Sequence, residues 1–441
     1  MPADIEPILK TAIPLGQYDP ATMPPPALPD AGPTALLVCH GMGQQVPFQT
    51  LDCIARAIVE THTGDAQVVA RLVQPGAGQS SMGRVEITLR GPAGAADREI
   101  HIYEAYWAPL TEKAISFPRT AWFLIQSGIR GLRACTKPTF QRWMFKGWKE
   151  LELKGRTALL LAALLALAVP ALALAGLGVV AWFVALAIGF AWHVKLVTLA
   201  VALLAYWTAI SAFRRFIVQY MGDVAIYVSS NEVNQFWKIR DEIKDICMHA
   251  ASVIYNALAD TGDDSVGGTF AYGRVVVVGH SLGSVVAYDT LNALLKGDQA
   301  TRQELRAAER THAFVTFGSP LDKTAFLFRQ HVPGPSVVRE VLAAAVQPMI
   351  QSYDFRPRWW INVYAKADII SGSLEYYDYP TNSRKDPPPA EDLHPKRIRN
   401  VHDPVWTIDP VAAHTGYWNR ETTRTVLYQA VTDALLKRFG P

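Results

Sequence analysis

The sequence predicts an α/β protein: a mostly parallel sheet flanked by helices, interrupted by an inserted hydrophobic helical hairpin. Three observations predict it. Arg274-Val-Val-Val-Val-Gly-His-Ser-Leu-Gly-Ser284 reads as a short apolar strand that turns directly into a helix. Ala35-Leu-Leu-Val-Cys39 is a second buried-strand run, followed at once by His40-Gly41-Met42-Gly43-Gln44. Thr157–Phe213 carries no charge apart from His193 and Lys195, and Leu, Ala and Val dominate it.

Composition narrows the classes. The chain has 441 residues, 50% apolar and 18% charged, with much of the apolar excess in Thr157–Phe213. A net charge of +3, with no dense basic stripe on any helix, argues against a nucleic-acid partner. Cys39, Cys53, Cys135 and Cys247 are scattered without a C-x-x-C pair, so neither a zinc site nor a disulfide scaffold is expected. They fit a reducing compartment, and no metal or cofactor is expected. The N-terminus lacks the basic and apolar regions of a secretory signal.

Taken in order, residues 1–33 form a proline-rich leader without periodicity, mobile or wrapped on the surface. The Ala35–Cys39 strand is followed by a helix over Leu51–Val59, whose Leu51, Ile54, Ala55 and Ile58 share a face. Strands are expected over Val68–Val73, Arg84–Arg90 and Glu99–Trp107. Glu104, at the end of the third, reads as a satisfied structural carboxylate rather than a catalytic one.

Thr157–Phe213 is long enough for two crossings of about 20 residues each. The expected arms are Thr157–Val179 and Val194–Phe213, with Val180–Trp192 turning between them. Trp182, Trp192, Tyr206 and Trp207 are candidate interfacial anchors. The crossing number must be even, because His40 and Ser281 have to meet in one site. Arg142, Lys146, Lys149, Lys154 and Arg156 precede the hairpin and Arg214 and Arg215 follow it, which puts both flanks on the cytoplasmic side. The competing reading is an apolar helical cap or a dimer interface.

Beyond the hairpin, helices are expected over Ser229–Asn256, Ser284–Leu295, Asp298–Arg310, Ser336–Val346 and Glu421–Phe439. Strands are expected at His312–Phe317, Trp359–Tyr364 and Val405–Ile408. Ser371–Pro395 reads as a long lid or substrate-contact loop.

The chemistry centres on Gly279-His-Ser-Leu-Gly283, a G-x-S-x-G sequence in strand–turn–helix context. Glycines two positions either side of Ser281 remove side chains that would clash at a sharp turn. They leave the hydroxyl exposed at a helix N-terminus that favours developing negative charge. A serine needs a base, and the base needs a carboxylate to fix its tautomer. Asp368 follows the Trp359–Tyr364 strand and is the first choice of acid, with Asp322 behind it. His414, between the last expected strand and the closing helix, is the first choice of base over His402 and His394.

With His40-Gly-Met-Gly43, Gly279-His-Ser-Leu-Gly283, Asp368 and His414-x-x-Tyr-Trp418, the chain resembles the α/β-hydrolase superfamily, in particular its lipase and esterase-like branch. The resemblance covers roughly residues 34–107 and 221–441. The chain then divides into the leader (1–33), a first part of the hydrolase domain (34–150), the expected transmembrane hairpin (157–213), where the chain departs from the family, and a second part bearing nucleophile, acid and base (221–441).

The resemblance implies ester hydrolysis through an acyl-enzyme on Ser281, with His414 as base then acid and Asp368 as orienter. The oxyanion hole would use the N–H of Leu282 and of Met42 or Gly43, with Gly41, Gln44 and His280 beside the substrate. The expected partners are a lipid or acyl-ester substrate and a membrane bilayer. The alternatives are an acyltransferase using the same acyl-enzyme, and a catalytically silent, membrane-tethered interaction protein.

Overall fold

The computed structural model describes residues 8–41, 46–76, 80–91, 96–111, 234–260, 268–301, 304–321, 356–368, 370–374, 377, 398–404, 410–418 and 424–436, with position 349 and scattered positions between 176 and 207. The strands are β1 (Ile8–Leu9), β2 (Ile13–Pro14), β3 (Thr34–Cys39), β4 (Ala66–Gln74), β5 (Met82–Leu89), β6 (Arg98–Ala105), β7 (Arg274–His280), β8 (Thr311–Phe317), β9 (Trp359–Ala365) and β10 (Ile398–Asp403). The helices that position the site are α1 (Gln49–Thr61), α2 (Ala108–Thr111), α3 (Asn234–Tyr255), α4 (Leu282–Ala300), α5 (Ala307–Arg310), α6 (Pro410–Thr415) and α7 (Arg424–Leu436), with a 3₁₀ turn at Gly416–Trp418.

All ten strands form one sheet in the order β1-β4-β5-β6-β3-β7-β8-β9-β10, with β2 also on β4. From β6 through β3, β7, β8 and β9 to β10, every neighbouring pair is parallel. The β4–β5 and β5–β6 pairs are antiparallel. This is an α/β fold with a mixed, mostly parallel sheet.

The valine run shows why helices cover both faces. Val275 and Val277 join Leu37, Ile243, Cys247, Ala250 and Val286 in one core, under α3 and α4. Val276 and Val278 join Leu36, Val38, Ile54, Ile58, Leu427 and Val431 in the other, under α1 and α7. Successive side chains of a strand point to opposite faces, so a strand buried on both sides is apolar at every position. β7 therefore shows no polar alternation and sits mid-sheet, carrying Ser281 at its carboxyl end.

Several elements differ from the sequence expectation. The leader, expected to be mobile or wrapped on the surface, adds two short strands that were not expected: β1 and β2 pair in parallel with β4, and Leu15 and Tyr18 are buried. The helix expected over Asp298–Arg310 is two pieces. α4 continues through Asp298, whose carboxylate then caps the next turn by accepting the Leu305 N–H at 2.7 Å and the Ala307 N–H at 2.6 Å. The last described strand is β10, not Val405–Ile408, which lies outside the described residues. The polar sequence of β10 concealed it, because it pairs with β9 alone among the described strands. The helix expected at Ser336–Val346 lies outside the described residues, as does the loop of Ser371–Pro395 beyond Leu374, apart from Tyr377.

Most of Thr157–Phe213 also lies outside them, so the hairpin itself is not described. Among the described residues no helix is long and apolar enough to cross a membrane. Most of the described positions of this segment are nevertheless exposed and apolar, Leu177, Ile188, Val197, Trp192 (73% accessible) and Trp207 (68%) among them.

Candidate active site

Ser281 sits between the end of β7 and the start of α4 with φ 51° and ψ −128°. Few non-glycine residues occupy that region, at a cost on the order of 1–3 kcal/mol. Its surroundings hold it there. The Ser281 N–H donates to the Phe317 carbonyl at 3.0 Å, and its own carbonyl accepts from the Ser284 N–H at 3.0 Å and the Ser284 hydroxyl at 2.6 Å. The two glycines are obligatory in space. A Cβ on Gly279 would lie 2.5 Å from the Ser284 Cα, and one on Gly283 would lie 2.1 Å from the His40 carbonyl oxygen. The helix is therefore pressed against β3 and β7, and Ser281 itself is buried at 1% exposure rather than exposed as expected.

The structure brings Ser281, His414 and Asp368 together from three separate parts of the chain. His414 Nε2 lies 2.8 Å from Ser281 Oγ, and His414 Nδ1 lies 2.9 Å from Asp368 Oδ2. Because an ionised carboxylate only accepts, the proton belongs on Nδ1, leaving Nε2 free to accept from the serine hydroxyl. Asp368 follows β9, within a turn closed by its N–H donating to the Ala365 carbonyl at 3.2 Å. Burial alone would raise the Asp368 carboxyl, but hydrogen bonds from His414, the Ile370 N–H and Ser371 outweigh it and hold it at about 2. It is a carboxylate throughout the neutral range.

His414, expected between the last strand and the closing helix, lies near the end of the short helix α6. The runner-up base His402 lies in β10, its ring against Tyr364. The runner-up acid Asp322 and the third histidine, His394, lie outside the described residues.

The Leu282 N–H opens α4, where backbone donors have no partner within the helix and the helix dipole favours negative charge. Gly41 is beside the serine: a Cβ there would lie 3.1 Å from the Ser281 Cβ. Met42, Gly43 and Gln44 lie outside the described residues.

His40 holds this turn by its side chain. The Trp107 N–H donates to His40 Nε2 at 3.0 Å, His40 Nδ1 donates to the Gly41 carbonyl at 2.8 Å, and the ring stacks on Trp107 at 4.6 Å. One nitrogen accepts and the other donates, so the ring is neutral; burial keeps it so by pushing its pKa to about 4. His280 is a buried ring stacked on Phe317 at 4.7 Å and on His414 at 5.4 Å. Burial and the neighbouring His414 push it to about 3, so it packs against His414 without adding charge.

Glu104 is buried at the end of β6, in register with Val38 of β3. Burial lifts its carboxyl to about 7 against the opposing effect of a hydrogen bond with the Phe48 backbone, and among the described residues Oε2 has no hydrogen-bond partner. The structural carboxylate expected there is thus only half satisfied. Asp403, at the end of β10, is likewise raised by burial, to about 6.

Sequence reasoning gave no role to Tyr417, which is fully buried and donates its phenol proton to Asp368 Oδ2 at 2.9 Å. Only its place three residues after His414 hinted at it.

No protein-family model, no curated protein and no solved structure matches this chain.

Proposed function

We propose that this chain is a membrane-tethered serine hydrolase of the α/β-hydrolase kind, cleaving carboxylic esters of lipid or acyl character through an acyl-enzyme on Ser281. The observation that carries the reading is the unbroken relay from Ser281 Oγ through His414 to Asp368 at 2.8 and 2.9 Å. Each member follows the carboxyl end of a strand in the parallel half of the sheet, in the chain order serine, acid, histidine. The positive-φ serine between β7 and α4 supports the same fold assignment.

In this reading His414 Nε2 takes the Ser281 proton as Oγ attacks the ester carbonyl, and Asp368 stabilises the imidazolium. The Leu282 N–H faces the charge that develops on the carbonyl oxygen. Collapse breaks the ester bond, and the alkoxide leaves with the proton from His414. Water then attacks the acyl-enzyme with His414 again as base, and the acid departs as Ser281 recovers its proton.

The lipid-side preference rests on the uncharged segment Thr157–Phe213, its basic flanks and the exposed tryptophans within it. A hairpin returning both flanks to the cytoplasmic side keeps the hydrolase parts together. Backbone groups in lipid must be satisfied internally, so its lipid-exposed length would be helical.

The test is activity profiling on p-nitrophenyl esters and phospholipids with a fluorophosphonate probe, alongside salt and carbonate washing of membranes. Ser281-dependent labelling and turnover are expected, lost in Ser281→Ala, with protein retained through both washes. Absence of labelling would refute the hydrolase reading, and release by salt alone would refute the membrane-spanning one.

A further inference from the structure

We infer that Tyr417 is a positioning residue that sets the charge and orientation of Asp368 toward His414, an inference that rests on the serine-hydrolase reading above. The phenol is the junction of three chain segments. It donates to Asp368 Oδ2 at 2.9 Å, the same oxygen that accepts from His414 Nδ1. The Ala365 N–H at the end of β9 donates to it at 2.9 Å, and its oxygen is 3.0 Å from the Ser371 hydroxyl.

The phenol has a single proton, and a carboxylate can only accept, so that proton lies toward Asp368. The Ser371 hydroxyl is a further donor beside the same pair, bonded to both the phenol and the carboxylate. Burial, and then the Asp368 charge, raise the Tyr417 phenol well above its ordinary value, so the proton stays in place.

The carboxylate is thereby saturated. Oδ1 accepts from the Ile370 N–H at 2.8 Å and the Ser371 N–H at 3.2 Å, and Oδ2 from His414 and Tyr417. A carboxylate held on both oxygens cannot rotate about its bond to Cβ, so the imidazole faces a fixed acceptor. The phenol also competes with His414 for the charge on Oδ2, which limits how strongly an imidazolium is favoured. His280, stacked on the other side of His414, is neutral, so Asp368 is the described charge facing the base and Tyr417 is its moderator.

The substitution that tests this role is Tyr417→Phe, which keeps the ring packed against Phe317 at 5.9 Å and His280 at 6.3 Å but also takes the phenol acceptor from the Ala365 N–H. With the donor gone, Asp368 presents more charge to His414 and the acid limb of the pH profile should move to higher pH. The expected outcome is the direction of that move, to higher pH than the wild-type limb. A loss on the order of tenfold in kcat with KM nearly unchanged should accompany it, because orientation of the base rather than substrate binding is disturbed.

The readouts are the pH dependence of fluorophosphonate labelling at Ser281 and of ester turnover by the full-length protein. Ser371→Ala removes a hydroxyl bonded to both the phenol and Asp368 and leaves the Tyr417–Asp368 bond, so it should move the limb the same way; it serves if Tyr417→Phe fails to fold. Wild-type protein that labels at Ser281, with an acid limb unmoved by both substitutions, overturns the role of Tyr417 alone. Wild-type protein that does not label at all overturns the hydrolase reading and this role with it.

Discussion

Gly283→Ala asks whether the approach of α4 to β3 is as close as described. Its added Cβ would lie 2.1 Å from the His40 carbonyl oxygen and 2.3 Å from that of Cys39. Ordinary contact distances begin near roughly 3.5 Å, so helix and strand must part by about 1 Å or more. Neither neighbour is a flexible side chain, and β3 is held on both sides by β6 and β7. The helix must therefore move, taking Ser281 with it. Overpacking of this kind costs about 3 kcal/mol or more, at the upper end of what cores tolerate. Gly297 on the same helix is the control. A Cβ there meets nothing within 4 Å, so alanine should raise stability by about 0.5–1 kcal/mol through reduced freedom of the unfolded chain. Denaturant midpoints read by tryptophan fluorescence, with the Ser281 labelling rate, measure both. If Gly283→Ala unfolds at the wild-type midpoint and labels at the wild-type rate, the close crossing of α4 over β3 is refuted. If Gly297→Ala loses stability as well, the contact argument that separates the two positions fails.

Two further outcomes are expected. His414→Ala should lower kcat by about 10⁴-fold or more, as loss of one member of a unit does, while His402→Ala on β10 stays near wild type; the reverse pattern would reassign the base. Glu104→Gln should stabilise the fold at pH 8. A carboxyl raised to about 7 destabilises the folded state fully above that value and not at all below its unfolded value of about 4. The advantage should therefore shrink between pH 7 and 4, and a difference in stability that is flat with pH would show that Glu104 is not held as described.

Much of the central architecture was legible because it depends on local pattern. A run of valines needs no partner to announce burial on both faces, and glycines at 279 and 283 mark a sharp strand-to-helix turn from spacing alone. Strands β4, β5 and β6 and helices α1 and α3 fall close to their expected bounds because each carries its own periodicity. β10 did not, since Ile398-Arg-Asn-Val-His-Asp403 is too polar to read as a strand until β9 supplies its register.

The chain by itself determined the α/β class, the strand–turn–helix at Ser281 and a short roster of acids and bases. Tertiary structure decided which of them meet. The His414–Asp368 contact spans 46 residues of sequence and the Ser281–His414 contact 133, and no local propensity encodes such distances. It also decided what the rings around them do. His40 props the turn after β3, His280 packs neutrally beside His414, and Tyr417 donates to Asp368, because burial and neighbours set a side chain's role once the sheet has brought strand ends together.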